Sequence, residues 1–457
     1  MTGASPRLHD SQPAAEAASR AVEAARSAGA DASDAYARTA SELQLEVRRG
    51  TVEHLQQALT RGLGLRVQLD RRQALVHTTD LSPAALKGLA AKAIEIARSV
   101  PPAADPLSLA PLVSVKAHAP QDPELARQPL GEKASWLVEV ERNMASVPGV
   151  TEPVSVKWTQ RDAFVAFANS RGLALAEPFC GITIEAEAIA ERDGQQTTGS
   201  CYVGVPARSR LPEPAWVGTT AGERAAMLLG ARQVPSCRVP VIFPPWMGWT
   251  LMVWLTQALR ADQVVLQRSY LAGRVGSAVA SPLVTISDLP HDLRGPDHRS
   301  FDAEGTPTRD QVLVGKGILN GYLSDRVSAS KLGVEPGGHA VRDSYAAAPE
   351  VGISNLLMEP GSLDPEAIIA ATDRGLLVTN LSGWWLNLSP ANDVFSSAAM
   401  GIWIEKGARA HPVRGITVAG TIREMLAAVD MVGNDLRVTG TIATPTFRIA
   451  EMAVSGT

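Results

Sequence analysis

Hydrophobic residues along this chain recur at two alternating periods, and the switches between them mark its elements. In AAEAASRAVEAARSAGA, residues 14–30, small apolar residues fall at helical spacing up to Gly29, a residue suited to left-handed helix closure, so the spacing predicts a helix. Residues 1–12 before it read as a flexible tail. Between Asp34 and His77 the period drops to two, as in LQLEVRRG and GLRVQLD. This predicts four or five antiparallel strands turning at Gly50, Gly62 and Asp70-Arg71-Arg72. DLSPAALKGLAAKAIEIARSV returns to the helical period, with Ser82 suited to the N-cap and Pro83 to the first helical position. Leu86, Leu89, Ala90, Ala93, Ile94 and Ala97 form one apolar stripe that would pack on the strands.

Pro101, Pro102, Pro106, Pro111, Pro120 and Pro123 deny regular structure to the next stretch and place a boundary there. An amphipathic helix follows in PLGEKASWLVEVERNMASV (129–147). VSVKWT, AFVAFANSRGLALAE, GITIEAEAIAERDG and QTTGSCYVGV then alternate at period two between turn residues, the pattern of an antiparallel meander, which a helix at 222–234 closes. The expected fold class is α+β. A helix-on-antiparallel-sheet domain spans 1–105, a central β-meander domain with helices spans 106–235, and a mainly antiparallel β domain spans 236–457.

One segment stands apart: PVIFPPWMGWTLMVWLTQALRAD, residues 240–262, reads as a short strand, a Pro-Pro break and an apolar helix almost without chemistry. Ile242–Leu255 is shorter than the ~20 residues a bilayer needs. The start, MTGASPRLHDSQPAAEAASR, has no apolar segment of the signal-peptide kind, so no membrane association and a cytoplasmic location are expected. A chain of 457 residues that is 45% hydrophobic, with net charge -4, offers no basic field for nucleic acid. Cys180, Cys201 and Cys237 are too widely spaced for a metal knuckle or a disulfide framework and read as buried fillers. Without a G-x-S-x-G elbow, a Walker loop or a G-x-G-x-x-G fingerprint, serine hydrolase, NTPase and dinucleotide readings have no foothold.

Seven blocks in order carry a resemblance: GLGLRV with DLSPAALKGLAAKAIEIA, ANSRG, SFDAEGTPT, KGILNGYLSDRVSASKLG, GISNLLMEPG and GIWIEKGARAHPVRGITVAGTIREMLAAVDMVGNDL. Together they resemble the TldD/PmbA family over nearly the whole chain. The resemblance implies three domains and two kinds of subunit. The TldD type carries an HExxxH helix and a later Cys that bind zinc. The TldE (PmbA) type lacks them and pairs with a TldD type to cut unfolded peptides, including leader segments of ribosomally made natural products. Zinc needs deprotonatable ligands and its water a nearby base. An ungapped placement sets Met252, Val253 and Gln257 at the family's HExxxH position, no His occurs between His118 and His291, and no Cys follows Cys237. The implied protein is therefore TldE-like. It has no catalytic or metal-binding residue of its own, zinc is expected in a TldD-like partner, and Trp249, Met252 and Trp254 are left for packing or interface. The alternative is a homo-oligomeric peptide-binding or chaperone-like protein, a homodimer being the simplest form, without hydrolytic activity.

Other constellations are weaker. His291, Asp292, Asp297 and His298 have metal-ligating chemistry, but the Pro and Gly around them predict a solvated loop. Asp302 and Glu304 before Gly305 are expected to form a turn rather than an acid/base pair. Arg342 and Asn355 are candidate peptide contacts, because Arg donates a rigid fork and Asn both donates and accepts. Trp384 and Trp385, read as strand neighbours facing opposite ways, are candidate anchors for partner or peptide.

Overall fold

The structure is a computed structural model that describes residues 12–116, 122, 125–386 and 388–456. The tail reading for 1–11, and Pro120 and Pro123, fall outside the described residues. The first helix, α1 (Gln12–Ser27), stops just before Gly29, which takes φ +98°.

Asp34–His77 forms three strands, not four or five: β1 (Ala32–Arg48), β2 (Thr51–Leu69) and β3 (Arg72–Thr78). Arg49-Gly50 (φ 53° and 73°) and Asp70-Arg71 (φ 49° and 62°) make two-residue turns with positive φ at both positions, whose twist matches the strands they join. Gly62 is not a turn. It lies inside β2, where a Cβ would sit 2.3 Å from the Tyr345 ring, so this glycine serves close packing rather than chain reversal. α2 (Pro83–Ser99) matches its sequence reading. Ser82 Oγ accepts from the Ala85 N–H at 3.3 Å, and all six stripe residues are buried.

After α3 (Leu130–Ala145) come β4 (Val150–Asn169), β5 (Ala174–Arg192) and β6 (Gln195–Val205). VSVKWT and AFVAFAN are one strand, because the polar residues between them keep pairing with β1, Gln160 opposite Leu43 and Asp162 opposite Ser41. All six strands join in one sheet of order β3-β2-β1-β4-β5-β6, so chain on both sides of residue 105 shares it. The helix expected at 222–234 lies earlier, as α4 (Pro214–Ala226). Proline is favoured at a helix's first position, and Gly218 and Gly222 face α3 so closely that a Cβ at Gly218 would sit 2.3 Å from Val140 O.

β7 (Cys237–Phe243) and α5 (Pro245–Leu259) open the last part of the chain. β7 lies inside a sheet ordered 408–421, 394–405, 374–382, β7, 447–455, 429–432. A second sheet runs 318–319, 311–315, 286–288, 356–358, 442–444, 437–439. Pairing is antiparallel except for β7 with Arg374–Ser382 and Leu356–Met358 with Ile442–Thr444. Among the described residues no helix is long and apolar enough to cross a membrane.

Candidate functional site

α5 is a core element. Met252 is 0% exposed and Trp254 1%. Gly248 brings the helix against the strand 447–455, since a Cβ there would lie 2.8 Å from the Phe447 ring, and Phe447 stacks on Phe243 at 5.5 Å. Val253 and Gln257, with Trp249, occupy the half-buried face that remains. Zinc takes thiolate, imidazole or carboxylate donors. The three positions offer a buried thioether, an aliphatic side chain and a neutral amide, a donor set that does not fit zinc. Among the described residues no group of three or more His, Cys, Asp and Glu is placed to hold a metal ion.

Beside the first turn of α5 opens a cleft of about 1070 Å³. Its walls are two unpaired sheet edges: β6, the last strand of the six-stranded sheet, and Arg437–Thr439, the last strand of the second C-terminal sheet. They converge where a Cβ on Gly204 would lie 3.7 Å from the Gly440 backbone. Period two along β6 buries Thr197, Gly199, Cys201 and Val203 and exposes Thr198, Ser200 and Tyr202. α4 presses on Gly199, where a Cβ would meet Ala225 N at 2.0 Å, and Thr197 Oγ1 donates to Ala225 O at 2.7 Å. This contact fixes the last turn of α4, from which Arg224 reaches the cleft. Arg224 donates to Ser200 O at 2.8 Å and stacks over Trp246 at 4.1 Å. Arg437 stacks over Trp216 at 4.6 Å. Neither guanidinium has a carboxylate partner among the described residues, although Glu187 and Glu213 also line the cleft. Burial, with Arg437 adding like charge, lowers Arg224 to about 10, and burial lifts the Cys201 thiol to about 11.

A second, buried set of charges ties β1 and β2 to the segment 288–342. Arg66 Nε donates to both Asp34 oxygens at 3.0 and 3.1 Å, and its Nη2 reaches Glu304 at 3.3 Å. Burial opposes the Arg66 charge, but the two carboxylates more than offset it and raise its pKa. Burial also pushes Glu304 up to about 7, against the pull of Arg66. Asp302 shapes the expected turn: its Oδ1 accepts from the Glu304 and Thr306 N–H groups at 2.9 Å. The solvated-loop reading of 291–304 is corrected over its second half, because His298, Asp302 and Glu304 are each under 5% exposed, Ser300 N–H donates to Glu177 of β5, and Phe301 and Ala303 pack with Phe167 of β4. Asp292 is held by Arg294 at 2.7–2.9 Å.

The four candidate binding residues do not converge. Arg342 is inside the buried set, 5.1 Å over the Tyr36 ring and 3.5 Å from Asp34. Asn355 spends its amide on the 289–297 loop, accepting from Asp297 N–H at 3.1 Å and donating to Leu289 O at 3.3 Å. Trp384 and Trp385 lie in a turn, not a strand, so they do not face opposite ways across a sheet. Trp384 packs edge-on to the cleft residue Trp249 at 5.3 Å, and Trp385 is 56% exposed. The sequence reading missed Arg224, Arg437, Trp216 and Trp246. The available signal was the polar face of QTTGSCYVGV at the end of a meander, which marks an edge strand.

Comparison with known proteins gives a consistent result. Profiles of the "PmbA/TldA metallopeptidase" domain 1, central domain and C-terminal domain match residues 33–97, 123–229 and 236–456. The chain is 27% identical over 451 residues to "Metalloprotease PmbA" of Escherichia coli O157:H7, covering 96% of each. It is 31% identical over 214 residues to "Metalloprotease TldD homolog" of Haemophilus influenzae, covering 46% of this chain and 44% of that one. Its fold matches the crystal structure of TldE from Thermococcus kodakarensis with a TM-score of 0.88 at 20% identity, over 96% of this chain and 100% of that one.

Proposed function

Because this chain belongs to the PmbA/TldD metallopeptidase family, we propose that it is the TldE-like, non-catalytic subunit of a two-subunit zinc peptidase. Its substrates are unfolded peptides, including leader segments of ribosomally made natural products. The observation that carries the proposal is α5, whose Met252, Val253 and Gln257 stand where zinc-type relatives are expected to place HExxxH. In the complex the partner's zinc supplies Lewis acidity and an activated water. This chain's residues bind and orient. The two unpaired edges flanking the cleft offer backbone N–H and C=O groups to an extended peptide, a mode of recognition that reads backbone rather than sequence. A third free edge, Thr51–Gly62 of β2, exposes Val52, Leu55 and Leu59 and suits a partner subunit. Buried thiols at Cys180 and Cys201, not joined in a disulfide, suit a reducing, cytoplasmic setting.

The intact cleft also favours a second reading, a homo-oligomeric peptide binder that does not cut. One assay separates them: an unstructured peptide is incubated with a TldD-type zinc subunit, with this chain, and with both, and its fragments are read by mass spectrometry. The proposed role predicts cleavage by the pair alone. Equal cleavage by the zinc subunit without this chain, or cleavage by this chain alone, overturns it.

A further inference from the structure

We propose that Arg224 and Arg437 form a carboxylate clamp in the cleft, gripping an extended peptide by an acidic group, either its C-terminal carboxylate or an Asp or Glu side chain. The inference rests on the cleft being the peptide-holding surface and goes further by naming the group it recognises. Each guanidinium lies against a tryptophan, 4.1 Å for Arg224 on Trp246 and 4.6 Å for Arg437 on Trp216. Stacking holds the planar fork in one orientation; Arg224 spends Nη1 on Ser200 O at 2.8 Å, which leaves its Nε and Nη2 edge for a bidentate acceptor, the arrangement that suits carboxylate.

The charge inventory of the cleft supports the same ligand. Of the four lining arginines, Arg294 is neutralised by Asp292 at 2.7 Å. Arg210, Arg224 and Arg437 have no ion-pair partner among the described residues, against the two acids Glu187 and Glu213. A cation half withdrawn from water without a counter-ion is disfavoured, and Arg224 feels a second one, Arg437, close enough to lower its pKa further. An entering carboxylate relieves both effects. Lying between the edges β6 and Arg437–Thr439, the clamp would also set register. The strand edges hold any backbone, and the carboxylate decides where along the cleft the chain stops.

The test uses the full chain and a seven-residue peptide of alternating Val and Thr, prepared as the free acid, as the C-terminal amide, and as the amide with one internal Glu. Binding is followed by calorimetry and by tryptophan fluorescence, since Trp216, Trp246 and Trp249 line the cleft. The free acid or the Glu peptide should bind at least tenfold more tightly than the neutral amide, and which of them does identifies the source of the carboxylate. Arg437→Gln, on an exposed edge strand, should abolish that preference without weakening the amide, and Arg224→Lys should reduce it by removing the fork while keeping the charge. Equal affinity for all three peptides, or a preference that survives both substitutions, overturns the clamp and leaves peptide holding intact. Failure of every peptide to bind overturns both.

Discussion

Arg66 and Arg224 are both drawn out of bulk water, yet the molecule treats them in opposite ways. Arg66 lies between Asp34 and Glu304, with two Nε contacts near 3 Å to one carboxylate and a 3.3 Å contact to the other. Arg224 has a tryptophan face, one backbone carbonyl and a second arginine for company. The paired cation links β2 to a segment more than two hundred residues away and is structural. The unpaired one opens onto a cleft and is available to a ligand. Internal charge satisfaction therefore separates the joint of this molecule from its proposed binding surface more clearly than burial does.

The contrast breaks most visibly at Asp34. Asp34→Ala leaves Arg66 and Arg342 without their shared carboxylate and is expected to lower the unfolding free energy by about 3–5 kcal/mol in urea titrations. A loss under about 1 kcal/mol would mean the buried set does no structural work. Glu304 gives a smaller, pH-dependent effect. Its carboxyl lies above the ordinary 4.5, at about 7, so its contribution is fully present below 4.5 and lost as pH rises through 7. That window carries at most about 3 kcal/mol of slope. Glu304→Gln, measured at pH 4.5 and 7.5, should flatten the slope relative to the parent protein, and an unchanged slope would assign it to other groups. Arg437→Gln should shift unfolding least, by no more than about 0.5 kcal/mol, because an exposed arginine without an ion partner holds nothing together. A large loss there would make it a structural residue like Arg66.

Much of the scaffold was legible in the residues because periodicity reports local burial directly. The six-residue stripe of α2 and its Ser82 cap stand as read, as do the turns at Gly50 and Asp70. The failures came where a residue answers to something distant in sequence. Gly62 is small because of Tyr345, and Gly218 because of Val140, so neither is the punctuation it resembles locally. The loop 298–304 looks polar and solvated in isolation, but Glu304 is spent on Arg66 of β2 and Asp302 on the N–H groups of its own turn and of Ala340. The cleft was least visible of all. Its arginines sit over two hundred residues apart, one on a helix and one on an edge strand, and only the meeting of two sheets brings them together. The chemical silence of α5, by contrast, needed no fold to be seen.

The central claim is that this chain joins a zinc peptidase without holding the zinc. Metal content by mass spectrometry, measured on the purified chain and on its complex with a TldD-type subunit, tests this directly. The account predicts no stoichiometric zinc in the chain alone and one zinc per complex, lost when the partner's metal-binding helix is mutated. Stoichiometric zinc retained by this chain by itself would contradict it.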